Sequence, residues 1–135
     1  MKKLFLILFI SLVYAPGASS NQWDRLIHAI AKVESNHNPR AVNGKYVGYL
    51  QIAPIIVKDC NRILAKKKST LRFTLQDRYS KEKSIAMFCI YQKFYNPRNS
   101  IERAIRLWNG GPHFTVSSTQ GYYKKVMKAF KHKRK

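Results

Sequence analysis

Acidic residues are scarce in this chain: six Asp and Glu stand among 135 residues, against 26 Lys and Arg. That scarcity argues against a carboxylate-built metal centre. Glu34-Ser35-Asn36-His37 has the Glu-x-x-His spacing of a bundle di-metal site, but such a site needs a second copy and further Glu residues, and neither is present. The two cysteines and His28, His37, His113 and His132 show no zinc spacing, so no metal and no cofactor is called for. Ser35 lacks a recognisable His/Asp arrangement for a hydrolase triad. Gly110-Gly111 is too short for a phosphate loop and reads better as a helix stop. Beyond the N-terminal apolar run, no stretch approaches the roughly 20 apolar residues of a membrane helix. No internal repeat is present.

That N-terminal run reads as a secretory signal peptide over residues 1–20: Met1-Lys2-Lys3, an apolar stretch from Leu4 to Tyr14, then Ala15-Pro16-Gly17-Ala18-Ser19-Ser20. Cleavage is expected after a residue between Ala18 and Ser20. The localisation expected is exported, in a periplasm or cell envelope, with roughly 115 residues left for a single domain over 21–130 and a basic tail over 131–135. Without Lys2 and Lys3 the net charge of +20 becomes +18, which attracts polyanions. Lys66-Lys67-Lys68 and the tail could meet anionic wall polymers or a secretion or conjugation machine; a solvated positive surface is the plain alternative. Export disfavours a specific nucleic-acid partner. It also permits a disulfide between Cys60 and Cys89, towards which the reading leans, two buried thiols being the alternative.

Periodicity and punctuation predict a mainly α fold. Helices are expected from Asn21 or Gln22 to Ser35, from Ala53-Pro54 to Leu64, from Lys81 to Tyr95, from a Ser100 cap to Asn109, and from Ser118–Gln120 onward. The third is expected to bury Ile85, Phe88, Cys89, Gln92 and Tyr95. The Lys-rich segment 65–79 reads as a loop or short hairpin.

Glu34 is the residue hardest to explain structurally. It lies four residues after Ile30, seven after Ile27 and eleven after Trp23, on or beside an apolar helix face. A carboxylate held there loses hydration, its neutral form is favoured, and it becomes a candidate general acid. Periodicity alone leaves it equally a solvated or ion-paired Glu near a helix end.

Three segments sit around it in the sequence: Glu34-Ser35 with Asn38-Pro39 and Ala41-Val42; Gly48-Tyr49-Leu50-Gln51-Ile52-Ala53-Pro54; and Leu107-Trp108-Asn109-Gly110-Gly111-Pro112, followed by Gly121-Tyr122-Tyr123 and Val126. In this order they resemble the soluble-type (SLT) lytic transglycosylases of the lysozyme-like superfamily, over roughly Trp23 to Val126. The resemblance implies a lysozyme-like α-helical domain with a substrate cleft, and cleavage of the β-1,4 bond between N-acetylmuramic acid and N-acetylglucosamine in peptidoglycan glycan strands. By it, Glu34 matches the catalytic Glu, while Ser35, Gly48, Gln51, Trp108, Asn109 and Tyr122 match substrate-binding or cleft-lining positions. Tyr46 and Tyr49 are weaker cleft candidates. Leu50 stands where Met is common, Trp108 where Tyr is usual and Gly110 where Ala is frequent, and 65–79 has no counterpart.

Most glycosidases use two carboxylates, yet none of Asp24, Asp59, Asp77, Glu82 and Glu102 falls in a motif resembling a second one. A one-acid route is the simpler expectation: Glu34 protonates the leaving oxygen, then takes a proton from the C6 hydroxyl, and a 1,6-anhydromuramic end forms. A hydrolytic lysozyme with the same site and a non-catalytic wall or polyanion binder are the alternatives.

Overall fold

The computed structural model describes residues 18–132. Most of the expected leader, residues 1–17, and the end of the basic tail, 133–135, lie outside the described residues. Among the described residues the chain is mainly helical: α1 Ser20–Ser35, α2 Pro54–Lys66, α3 Lys81–Tyr95, α4 Ile101–Gly110 and α5 Val116–Lys131. No helix among them is long and apolar enough to cross a membrane.

Local chemistry accounts for the helix boundaries. Ser19 caps α1 in a reciprocal box with Gln22, and Asn36 ends the helix in a left-handed turn with φ 53°. Pro54 opens α2, where its missing N–H costs nothing. Ser80 and Ser100 cap α3 and α4 by accepting from Lys83 N–H and Arg103 N–H. α5 starts earlier than expected because Thr115, not a residue at 118–120, is its cap, and Ser118 N–H is the donor it satisfies.

The core is one cluster in which α1 packs on α5 and α4, α4 on α5, and α2 on α3. Leu26, Ile30, Leu50, Ile52, Met87, Phe88, Ile105 and Leu107 are fully buried, each worth about 2 kcal/mol of transfer free energy. A buried amide pair joins α3 to α4. Gln92 Nε2 donates to Ala104 O, and Asn96 exchanges bonds with the Ser100 backbone at 2.9 and 3.1 Å.

Three expectations need correction. The buried face of α3 is Ser84, Met87, Phe88, Tyr91 and Gln92, so Ile85, Cys89 and Tyr95 lie at its margins. Of the two alternatives for 65–79 the hairpin falls and the loop holds: past the end of α2 at Lys66 the chain runs without strand pairing to a single 3-10 turn, Leu75–Tyr79. The strand pairing present is short, β1 Val42–Asn43 with β2 Tyr46–Val47, antiparallel.

The third correction concerns Cys60 and Cys89, which are unbridged. Cys60 Sγ donates to Met87 O on α3, whereas Cys89, two positions beyond Met87, turns away from α2 towards Trp23. Burial pushes the Cys60 thiol up to about 12, reinforced by Asp59. Alkylation of the unfolded, non-reduced protein should therefore add two labels, read by mass spectrometry.

Candidate functional site

The last turn of α1 carries Glu34 and Ser35. Downstream, β1 and β2 meet through Gly44-Lys45, and the chain then folds back at Gly48–Gln51, closed by paired bonds between Val47 and Ile52 at 3.2 and 2.9 Å. Two consecutive carbonyls of that turn tie it to its surroundings. Tyr49 O accepts from Ser35 Oγ at 2.8 Å, and Leu50 O accepts from Trp108 Nε1 at 3.2 Å. The end of α1, the 48–51 turn and the end of α4 are thus brought together by the side chains of Ser35 and Trp108.

Glu34 is partly buried, and its carboxyl is pushed up from 4.5 to about 7. Desolvation is the largest cause; the nearby polar side chains of Tyr122 and Trp108 pull it back part of the way, although the single indole N–H of Trp108 is already committed to Leu50 O. The position also adjoins the carbonyl end of α1, where the helix dipole disfavours negative charge. No other charged group is among these influences. Asp59, Asp77 and Glu102 are paired with Arg62, Lys83 and Arg106. Asp24 lies ten residues back on α1, about 15 Å along the axis.

Tyr122 reaches Glu34 from α5. Its hydroxyl is buried and has no partner in good hydrogen-bond geometry, so its approach to Glu34 falls short of a well-formed bond. The two groups are nonetheless coupled. The phenol is held well above its ordinary range first by burial, then by the charge of Glu34, then by their side-chain contact. A buried donor without a firm partner, beside a neutral-leaning carboxyl, is a polar pair with capacity left for a third group.

The other expected residues divide by what occupies them. Gln51 sits in the left-handed region at φ 52° and donates through Nε2 to Gly48 O and Ala41 O at 3.0 and 3.2 Å. Trp108 is partly buried, its ring edge-on to Phe88 and Tyr91. Asn109 is exposed, and its amide makes no hydrogen bond to another described residue. Tyr49 is buried in the core and Tyr46 is exposed. Gly110 faces Phe114 Cβ at 2.7 Å and Thr119 Cγ2 at 2.8 Å from where a methyl would sit, which is why Ala has no room there.

One residue escaped the sequence reading. Arg78, from the 3-10 turn, is buried and donates to Lys45 O and Ile52 O, both at 3.1 Å, and to Leu75 O at 2.9 Å. It braces the base of the 48–51 turn from below. In sequence it is one cation within a basic stretch, with nothing to mark it as buried. Arg78→Met should strand those carbonyls and lower stability by about 2 kcal/mol, measured by urea denaturation.

Two sizeable cavities, about 610 and 680 Å³, open on the side where α1 faces α5, and neither is lined by Glu34. The Glu34 site is therefore marked out by its chemistry and not by cavity size. Comparison of the chain with family models, with curated proteins and with solved structures finds no match.

Proposed function

We propose that this chain is an exported peptidoglycan lytic transglycosylase with a lysozyme-like fold, in which Glu34 is the sole catalytic carboxyl, first acid and then base. One observation carries the reading: a single carboxyl with its pKa near 7, raised by desolvation and lying beside the unpartnered hydroxyl of Tyr122 and the Trp108 ring, with no second acid acting on it. The ordered motifs that resemble the SLT family converge on this same place.

In this reading protonated Glu34 gives its proton to the glycosidic oxygen as the bond to the anomeric carbon breaks. The substrate's own N-acetyl group assists at that carbon. Ionised Glu34 then accepts the C6 hydroxyl proton as that oxygen closes on the anomeric carbon. Atoms balance without water, and the products are a free N-acetylglucosamine 4-hydroxyl and a 1,6-anhydromuramic end. Tyr122 steadies the carboxylate between the two steps, its loose contact tightening as substrate fills the site. In this reading Trp108 and Asn109 meet the glycan from the end of α4, and Gln51 and Gly48 belong to the turn that Trp108 Nε1 binds beside it. Glycan strands are the partner, and export delivers the enzyme to them. Signal cleavage after Ala18 would keep the Ser19 cap of α1.

Digestion of purified peptidoglycan and mass analysis of the released muropeptides tests this directly. Anhydro ends are expected; reducing ends would assign a lysozyme instead, and no release would leave a binding protein.

A further inference from the structure

The cavity of about 610 Å³ between α1 and α5 has the size of a small-ligand site. α1 contributes His28, Ala29, Lys32 and Val33, two pairs four residues apart. α5 contributes Lys125, Lys128 and Ala129, at the spacing of one helix face, and His132 just past its end joins them. His37 closes one end, its ring stacked on His28 at 4.1 Å. No carboxylate lines this space, although its wall is mainly apolar.

The cations at its rim are uncompensated. Lys125 and Lys128 make no ion pair or hydrogen bond among the described residues. Lys32 donates to Asn36 Oδ1, a neutral acceptor that leaves its charge in place. Lysine stems and imidazole faces extend the carbon surface while their charged ends stay at the mouth. The adjoining cavity of about 680 Å³ shares His28, Ala129 and His132 and offers apolar surface at Ile27, Ile85 and Phe130, beside the polar groups Asp24, Arg25 and Lys81. An extended polyanion would use the cations and leave the apolar wall empty. A neutral apolar ligand would leave the cations idle.

We propose that this cavity binds a single-chain alkyl phosphate, the chemistry of a lipid phosphate, with its headgroup among Lys32, Lys125 and Lys128 and its chain against Ala29, Val33 and Ala129. The site is separate from Glu34 and does not depend on the catalytic reading.

The test is calorimetric titration of the full chain with dodecyl phosphate below its critical micelle concentration. One saturable site is expected. Lys125→Gln with Lys128→Gln, both exposed positions, should weaken it at least about tenfold, as loss of two charge-assisted contacts would. Inorganic phosphate and dodecyl maltoside should each bind at least about tenfold more weakly than dodecyl phosphate, since each satisfies half of the site. Any of four results overturns the proposal: no binding, an unchanged affinity in the double variant, inorganic phosphate binding as tightly, or dodecyl maltoside binding as tightly.

Discussion

Glu34→Gln should lower the rate of muropeptide release from purified peptidoglycan by at least about a hundredfold, the usual worth of a positioned general acid, while the protein stays folded. Glutamine keeps the shape of the side chain and its place between Tyr122 and Trp108 but has no proton to give. A rate equal to wild type would remove Glu34 from the chemistry. The pH profile offers a second check. With a carboxyl at about 7, the acid-limited rate should be level below neutrality and fall tenfold per pH unit above it; a carboxyl at its ordinary value would already have lost its acid form by about pH 6.

The same shift makes a stability prediction of definite sign. Glu34 titrates near 4.5 unfolded and near 7 folded, so the fold favours its protonated form. That contribution is fully present below pH 4.5 and is lost as pH rises through 7, with a ceiling of about 3 kcal/mol. A glutamine at this position cannot ionise and escapes the loss. The Glu34→Gln variant should match wild type near pH 4 and exceed it by about 2 kcal/mol at about pH 8, measured by denaturant melts at both values. An inactive variant that is more stable than its parent at alkaline pH would separate chemical loss from unfolding, and would show that the wild-type protein gives up stability to keep an acid in a dry place.

How far all this could be read from the chain depended on what kind of signal each part left. α1, α2 and α4 fall close to where periodicity placed them because Pro54 and the Ser100 cap punctuate them and their apolar residues keep to one side. α3 also has its expected span, Lys81–Tyr95, but its buried face resisted because Ile85, Ala86, Met87, Phe88, Cys89, Ile90 and Tyr91 run apolar right round the helix. Only neighbouring helices decide which of these is buried. The disulfide expectation came from compartment chemistry, which says what is permitted and nothing about which way two thiols point. Short motifs singled out Glu34, Gly48, Gln51, Trp108 and Tyr122 as candidates by their order in the chain, yet the binding of Ser35 and Trp108 to consecutive carbonyls of one turn left no trace in spacing. Arg78 and the lysines beside α1 and α5 were hidden for a common reason. A buried or cavity-lining cation and a solvated one are the same letter, and in a chain with 26 of them the informative few do not stand out.

Gly48→Ala should be the most destabilising single-methyl change in the site, by about 4 kcal/mol, and should reduce cleavage as well. Gly48 has φ +87°, a left-handed conformation that L side chains rarely adopt, and a methyl there would lie 1.8 Å from Arg78 O and 2.9 Å from its carbonyl carbon. The obstacle is backbone, so no rotamer change relieves it. Arg78 cannot retreat, because its guanidinium is fixed on Lys45 O and Ile52 O while its own carbonyl accepts from buried Ser84 Oγ. The Gly48 side must move instead, taking with it the 2.7 Å bond from Gly48 N to Ala41 O and the carbonyl that holds Gln51 Nε2. Overpacking of this kind costs about 1–3 kcal/mol, and the positive φ adds about 1–2 kcal/mol. Gly44 supplies the control: it also has positive φ, at +60°, but nothing lies within 4 Å of its added methyl. Gly44→Ala should therefore cost only the conformational part, about 1 kcal/mol. If urea melts give the two variants equal losses, the close approach of Arg78 to the turn is not what holds Gly48 in place.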